Sequence, residues 1–212
     1  IGSNHGDRVG TFLSLGASVV AVEPQPHCLD DLHRKFGHRA DVVIVDAAVD
    51  RRAGTAAMHL SNNDMVSSLS TEWIARARAG GRFDDSSWEE RLDVRTLTLD
   101  QLIDTYGRPA FIKIDVEGSE LRALEGLSAP VRALSFEYTP EDIETAIRCV
   151  GRLGALGDFR YDLSPGETFV MNLGTFVKED EIVNALVSIA ARENEPSGDV
   201  YAVLVPERVI WK

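Results

Sequence analysis

Cysteine is scarce. The 212 residues hold two, Cys28 and Cys149, which form no disulfide framework and no metal motif. They read as buried thiols in a reducing, cytoplasmic setting. No apolar run approaches the roughly 20 residues a membrane span needs, and no signal peptide is visible. Cations are outnumbered: 22 Lys and Arg against 34 Asp and Glu leave a net charge of −12. That excludes a general nucleic-acid or anionic-membrane surface, though not a local basic pocket. The phosphate loop G-x-x-x-x-G-K-[ST] and the dinucleotide turn G-x-G-x-x-G are both missing, as are internal repeats and low-complexity tracts. What remains is a soluble balance, 44% hydrophobic and 26% charged, at a length that suits one domain spanning 1–212.

The most informative stretch runs from Phe111 to Gly126. Its apolar, β-branched start predicts a strand buried on both faces of a parallel sheet. Two carboxylates follow, Asp115 and Glu117, then Gly118 and a helix with Leu121, Leu124 and Leu127 on one side. Acids at the carboxyl end of such a strand stand where open α/β sheets bind ligands. The plainer reading makes them helix-entry carboxylates favoured by the helix dipole.

The chain opens on Ile1-Gly-Ser-Asn-His-Gly6, a glycine-rich turn entering a helix over Thr11 to Leu15. Free N–H groups at such a turn cradle a ligand. The strand that should feed this loop is not in the sequence, so the first strand is expected to be truncated and further residues to lie upstream. Ser18 to Glu23 reads as a second buried strand, with Glu23 at the distance where an acid accepts hydrogen bonds from ribose hydroxyls. Leu29, Leu32 and Phe36 predict an amphipathic helix, and His33 and His38 are expected in solvent rather than on a metal. Asp41 to Asp46 is a third buried strand with a third acid at its tip, and Thr55 to Leu60 an added strand.

Residues 61–92 are rich in Ser, Asn, Asp and Gly yet carry Trp73 and Trp88. Long segments of this kind are functional lids or disordered, and aromatics argue against disorder. A lid-like insertion is expected, with a short helix over Ser70 to Ala79 capped by Ser70 or Thr71. Further on, Asp93 to Leu97 and Ala133 to Tyr138 read as strands, the latter carrying Glu137 at its end. Thr139-Pro140 starts a helix bearing Ile143, Ile147 and Val150. Asp158 to Leu163, Thr168 to Asn172 and Val200 to Val205 are further expected strands, with a helix over Glu179 to Arg192.

Strand and helix alternate, the mark of an α/β layered fold with a mostly parallel central sheet and helices on both faces. Glu23, Asp46, Asp115, Glu117 and Glu137 all fall at strand ends. Acids there suit a ribose-bearing cation better than a polyphosphate, and S-adenosylmethionine is such a cation.

Five segments then carry a resemblance: Ile1 to Gly6, Val22-Glu-Pro24, Ser67-Ser-Leu69, Leu97-Thr-Leu-Asp100 and Ile112-Lys-Ile-Asp-Val-Glu-Gly-Ser-Glu120. In this order they resemble the FkbM-type S-adenosylmethionine-dependent methyltransferases, over about Ile1 to Tyr138. Family members begin the first motif with an Asp just before the position of Ile1. The resemblance implies a Rossmann-like class I methyltransferase fold. It implies that Gly2, Asn4 and Gly6 line the amino-acid end of the cofactor and that Glu23 holds the ribose hydroxyls. Asp46 and Ala47 would sit by the adenine, and Ser68 and Asp115 by the methionyl part. Glu117 would orient the acceptor or cap the following helix.

The implied reaction is O-methylation of a small molecule, sugar or glycan by in-line displacement at the sulfonium methyl. An alcohol acceptor needs a base, for which Asp115, Glu117, Glu137 and His5 are candidates. No metal is required, although Asp115, Glu117 and Glu137 could together hold one for a diol acceptor. Competing readings are a non-catalytic Rossmann-like binding module and, against the glycine spacing, a nicotinamide-dependent oxidoreductase.

Overall fold

Valine runs make the first two strands. β1 (Val19–Glu23) lies parallel to β2 (Val42–Asp46), with Val22 beside Val45 and Glu23 beside Asp46. This is seen in a computed structural model that describes residues 1–81, 83–168, 170–192 and 194–206. The chain forms two units, one of residues 1–107 with 114–127, the other of residues 108–113 with the described part of 128–212.

In the first unit, α1 (Asp7–Ser14) precedes β1, and α2 (Pro26–Phe36) joins β1 to β2. Pro26 suits the first turn of α2, where its missing N–H costs nothing, and Arg34 and Lys35 suit the last. Val9, Ala21 and Leu32 are buried together, with Leu13, Val19, Phe36, Val42 and Ile44 packed on them. The expectation of buried strands fails at Val20 and Val43, which face each other across the pair and are 37% and 39% exposed. An apolar run does not by itself say what covers its second face. His33 and His38 are exposed, as expected.

A second sheet holds β3 (Ala48–Val49), β5 (Glu90–Leu97) and β4 (Gly54–Leu60), in that order. β5 runs parallel to β3 and antiparallel to β4. Between β4 and β5 lies the predicted insertion, of which residues 90–92 already belong to β5. It is ordered by a short 3-10 turn (Asp64–Val66) and by α3 (Thr71–Ala79). Ser70 is the cap of α3, its side chain accepting from the Trp73 N–H. Val66, Trp73, Ile74, Ala77 and Trp88 form a small core of their own, with Phe83 against it. α4 (Leu99–Tyr106) starts on a Thr98–Gln101 capping box, and α5 (Glu120–Glu125) ends the unit's helices. Leu124 and Leu127 are buried.

The second unit carries a four-stranded sheet in the order β6-β7-β9-β8. Its strands are β6 (Ile112–Ile114, whose last residue belongs to the first unit), β7 (Ala133–Tyr138), β8 (Phe159–Pro165) and β9 (Gly198–Leu204). β9 is antiparallel to both β7 and β8. α6 (Ile143–Gly154) follows a 3-10 turn at Pro140–Asp142, and α7 (Glu179–Ala190) buries Ile182, Leu186 and Ile189. The strand expected over Thr168 to Asn172 is not found at its described residues, and Phe169 lies outside them. The sheets are therefore mixed: parallel at β1–β2 and β3–β5, antiparallel at β4–β5, β7–β9 and β8–β9. Strand and helix alternate along the chain in a Rossmann-like α/β arrangement. Among the described residues no helix is long and apolar enough to cross a membrane.

Candidate cofactor site

The opening loop is stitched to the ends of two strands. The Gly2 and Ser3 N–H groups both donate to the Val22 carbonyl of β1, at 3.0 and 3.1 Å. The Asp115 N–H, just past β6, donates to the Ile1 carbonyl at 3.1 Å. Gly2 has φ +72°, and a Cβ there would stand 1.7 Å from the Asp115 carbonyl oxygen, so only glycine fits. Asn4 also takes a positive φ, 44°. Its N–H donates to Glu23 at 2.8 Å and its side-chain oxygen accepts from the His5 N–H at 2.8 Å. Gly6 closes the turn on the Ser3 carbonyl and leads into α1.

Glu23 is 2% exposed. One carboxylate oxygen accepts from the Asn4 N–H and the other from the Gln25 N–H, at 2.8 and 3.0 Å. Burial pushes its pKa up against the pull of those bonds. Asp46, next to it in register, is exposed, and Ala47 is buried. The Asp46 carbonyl accepts from the Arg95 guanidinium at 3.0 and 3.2 Å.

The acidic turn after β6 is held from two sides. Glu117 and Gly118 both have positive φ, 50° and 84°. A Cβ on Gly118 would lie 2.2 Å from the Trp73 ring, so α3 of the insertion packs directly on this turn. Ser68, fully buried, donates from its hydroxyl to the Glu117 carbonyl at 2.5 Å and accepts from the Ser70 N–H at 2.9 Å. From below, Glu120 accepts from the Val116 and Gly118 N–H groups at 3.1 and 3.2 Å. Glu120 is 3% exposed, and burial, reinforced by the charge of Asp115, pushes its pKa up to about 7. Sequence reasoning missed this residue. The available signal was an acid at the first position of a helix following a glycine turn, where a carboxylate reaches back to free N–H groups.

His5 is doubly engaged. Its Nδ1 meets Asp31 at 2.9 Å and its Nε2 meets Asp64 at 2.8 Å, while His27 shares Asp64 at 3.0 Å. Partial burial works against the imidazolium, but the bonds and charges of Asp64 and Asp31 outweigh it and raise the pKa. Neither aspartate was singled out from sequence, because each comes from a separate helical turn and no spacing links them to His5.

Gly2, Asn4, Gly6, Glu23, Asp46, Ala47 and Asp115 thus lie along the bonded ends of β1, β2 and β6, and Ser68 and Glu117 join at the acidic turn. All belong to the first unit. Glu137 lies in the second, paired with Asp199 across β7 and β9.

The model of the methyltransferase FkbM domain matches residues 1–147. A similar solved structure is the 2.20 Å crystal structure of methyltransferase FkbM from Methylobacillus flagellatus KT, 15% identical with a TM-score of 0.55. The match covers 95% of this chain and 41% of that one, so the chain spans less than half of its solved relative. No curated protein matches the chain. Since the domain match takes in well over half of the residues, the loop and acidic turn included, the chain belongs to the FkbM methyltransferase family.

Proposed function

We propose that the first unit binds S-adenosylmethionine and that the chain methylates a hydroxyl of a small molecule, sugar or glycan in the cytoplasm. One observation carries this reading: the glycine loop is hydrogen-bonded to two acid-tipped strand ends at once, through Val22 and Glu23 and through Asp115. That places several carboxylates around backbone turns whose conformation favours a ligand. Negative potential there attracts a sulfonium and an ammonium group, and Glu23 has lone pairs left for ribose hydroxyls. Gly2, Asn4 and Gly6 take the amino-acid end, Asp46 and Ala47 flank the adenine, and Ser68 and Asp115 border the methionyl part. Ser68 acts through the Glu117 carbonyl it holds.

S-adenosylmethionine supplies an electrophilic methyl group. The acceptor oxygen forms a bond to that carbon as the carbon–sulfur bond breaks, S-adenosylhomocysteine leaves, and the hydroxyl proton passes to a base. Asp115 and Glu117, on the acidic turn, are candidates for that base. His5 can serve only after giving up the proton that Asp31 and Asp64 favour. The 61–92 insertion, already packed on the acidic turn, is the lid that shapes the acceptor side. Calorimetry should show binding of S-adenosylmethionine and not of NAD. Asp115→Ala should abolish binding or turnover while the circular dichroism stays native. Unchanged methylation by that variant sinks the proposal, and binding without turnover over a broad acceptor panel would make the chain a non-catalytic module.

A further inference from the structure

Beside the cofactor loop, three donors of different chemistry converge. One ring nitrogen of His5, the sulfur of Cys28 and one carboxylate oxygen of Asp64 all lie within 4.8 Å of one another. Tetrahedral zinc ligation, with bonds of about 2.0–2.3 Å, sets donor atoms about 3.3–3.8 Å apart, so small side-chain shifts complete it. His5 comes from the glycine loop, Cys28 from the first turn of α2, and Asp64 from the 3-10 turn of the insertion. We propose that His5 Nε2, the Cys28 sulfur and an Asp64 oxygen form a binding site for a zinc-class divalent cation, which ties the insertion to the cofactor loop.

The surroundings match what such a site needs. A metal-bound histidine ordinarily donates its other ring N–H to a carboxylate, which fixes the tautomer and the ring plane. Here Asp31 meets His5 Nδ1 at 2.9 Å and is itself held by Arg34. His27 takes the matching place for Asp64, meeting its carboxylate at 3.0 Å. Cys28 is fully buried, but the His5 and Asp64 side chains are 36% and 26% exposed, which gives an ion a way in. Imidazole, thiolate and carboxylate together suit zinc or cobalt rather than magnesium or calcium. On binding, the Cys28 thiol and the His5 imidazolium each release a proton to solvent and the three ligands keep the electron pairs. Three protein donors leave a fourth position for water.

Titration of the full chain with Co2+ should give a thiolate-to-cobalt charge-transfer band in the near ultraviolet, saturating at one ion per chain and bleached by Zn2+. Cys28→Ser should abolish the band and Cys149→Ser leave it. Asp31→Asn should weaken Co2+ about tenfold through the outer contact, and Asp64→Asn by more. No band at saturating Co2+, a band that survives Cys28→Ser, or one lost in Cys149→Ser overturns the site. Should Cys28→Ser fail to fold, the part-exposed Asp64→Asn decides: unchanged Co2+ affinity refutes the proposal. None of these readouts depends on methyl transfer.

Discussion

Two regions treat buried acids differently: first the turns after β1 and β6, and second the surroundings of Asp199. Both answers occur in each unit, since Asp50 meets Arg122 in one, and Asp162 accepts from the Leu163 and Leu173 N–H groups in the other. In the second, Asp199 on β9 meets Lys113 on β6 at 2.8 Å, each side chain 12% exposed. The charge is answered inside the unit. In the first, Glu23 and Glu120 are more deeply buried and accept from backbone N–H groups. Those bonds hold turns in shape but do not cancel a charge. A matched pair stays ionised, whereas burial beside backbone N–H groups raises a carboxyl's pKa, so that an incoming cation would favour its ionisation. Gly2, Asn4, Gly6, Glu117 and Gly118 crowd the ends of β1 and β6.

The sharpest way to break this contrast is Gly2→Ala. The new methyl would meet the Asp115 carbonyl oxygen at 1.7 Å in a left-handed backbone. Strain and overpacking together should cost about 5 kcal/mol. Chemical denaturation should show a large loss confined to the first unit, along with loss of S-adenosylmethionine binding. A variant that unfolds like the parent would mean the loop is not locked to β6.

Lys113→Met tests the other side. It leaves Asp199 buried without its cation, and breaking such a pair should cost about 3–4 kcal/mol. Urea melts read the loss. A loss below about 1 kcal/mol would show that the pair behaves as a surface ion pair and that the contrast is false.

Much of this layout was legible in the residues. The strands ending on Glu23 and Asp46, and β6 just before Asp115, follow from apolar runs closed by an acid, and α2 and α7 from their spacing. The cap of α3 could be narrowed to Ser70 or Thr71 because hydroxyl side chains serve that need, and Ser70 takes it. What failed depended on partners that lie far along the chain. A buried strand was expected at β2, yet Val43 is exposed. Thr168 to Asn172 has strand-like residues, but pairing is decided by neighbours, and its described residues form a loop. Glu120 stands in the sequence only as the end of the acidic motif. Its burial under the acidic turn is a tertiary fact, as is the meeting of His5, Cys28 and Asp64.

Glu120→Gln should move stability in the direction opposite to Lys113→Met. The folded pKa of Glu120 is raised to about 7 from 4.5, chiefly by burial. Its contribution is therefore whole below about pH 4.5 and is lost as pH rises through about 7. Above that, ionised Glu120 costs roughly 3 kcal/mol relative to the neutral form. Glutamine is neutral at every pH, and its carbonyl oxygen can still accept from the Val116 and Gly118 N–H groups. The variant should match the parent near pH 4.5 and exceed it by up to about 3 kcal/mol at pH 8. Denaturant midpoints across that range give the difference, in which the titration of His5 and of the surface acids cancels. A difference that stays flat with pH would show that Glu120 ionises normally and that some cation answers its charge. The acidic turn would then answer its buried charge as the Asp199 site does.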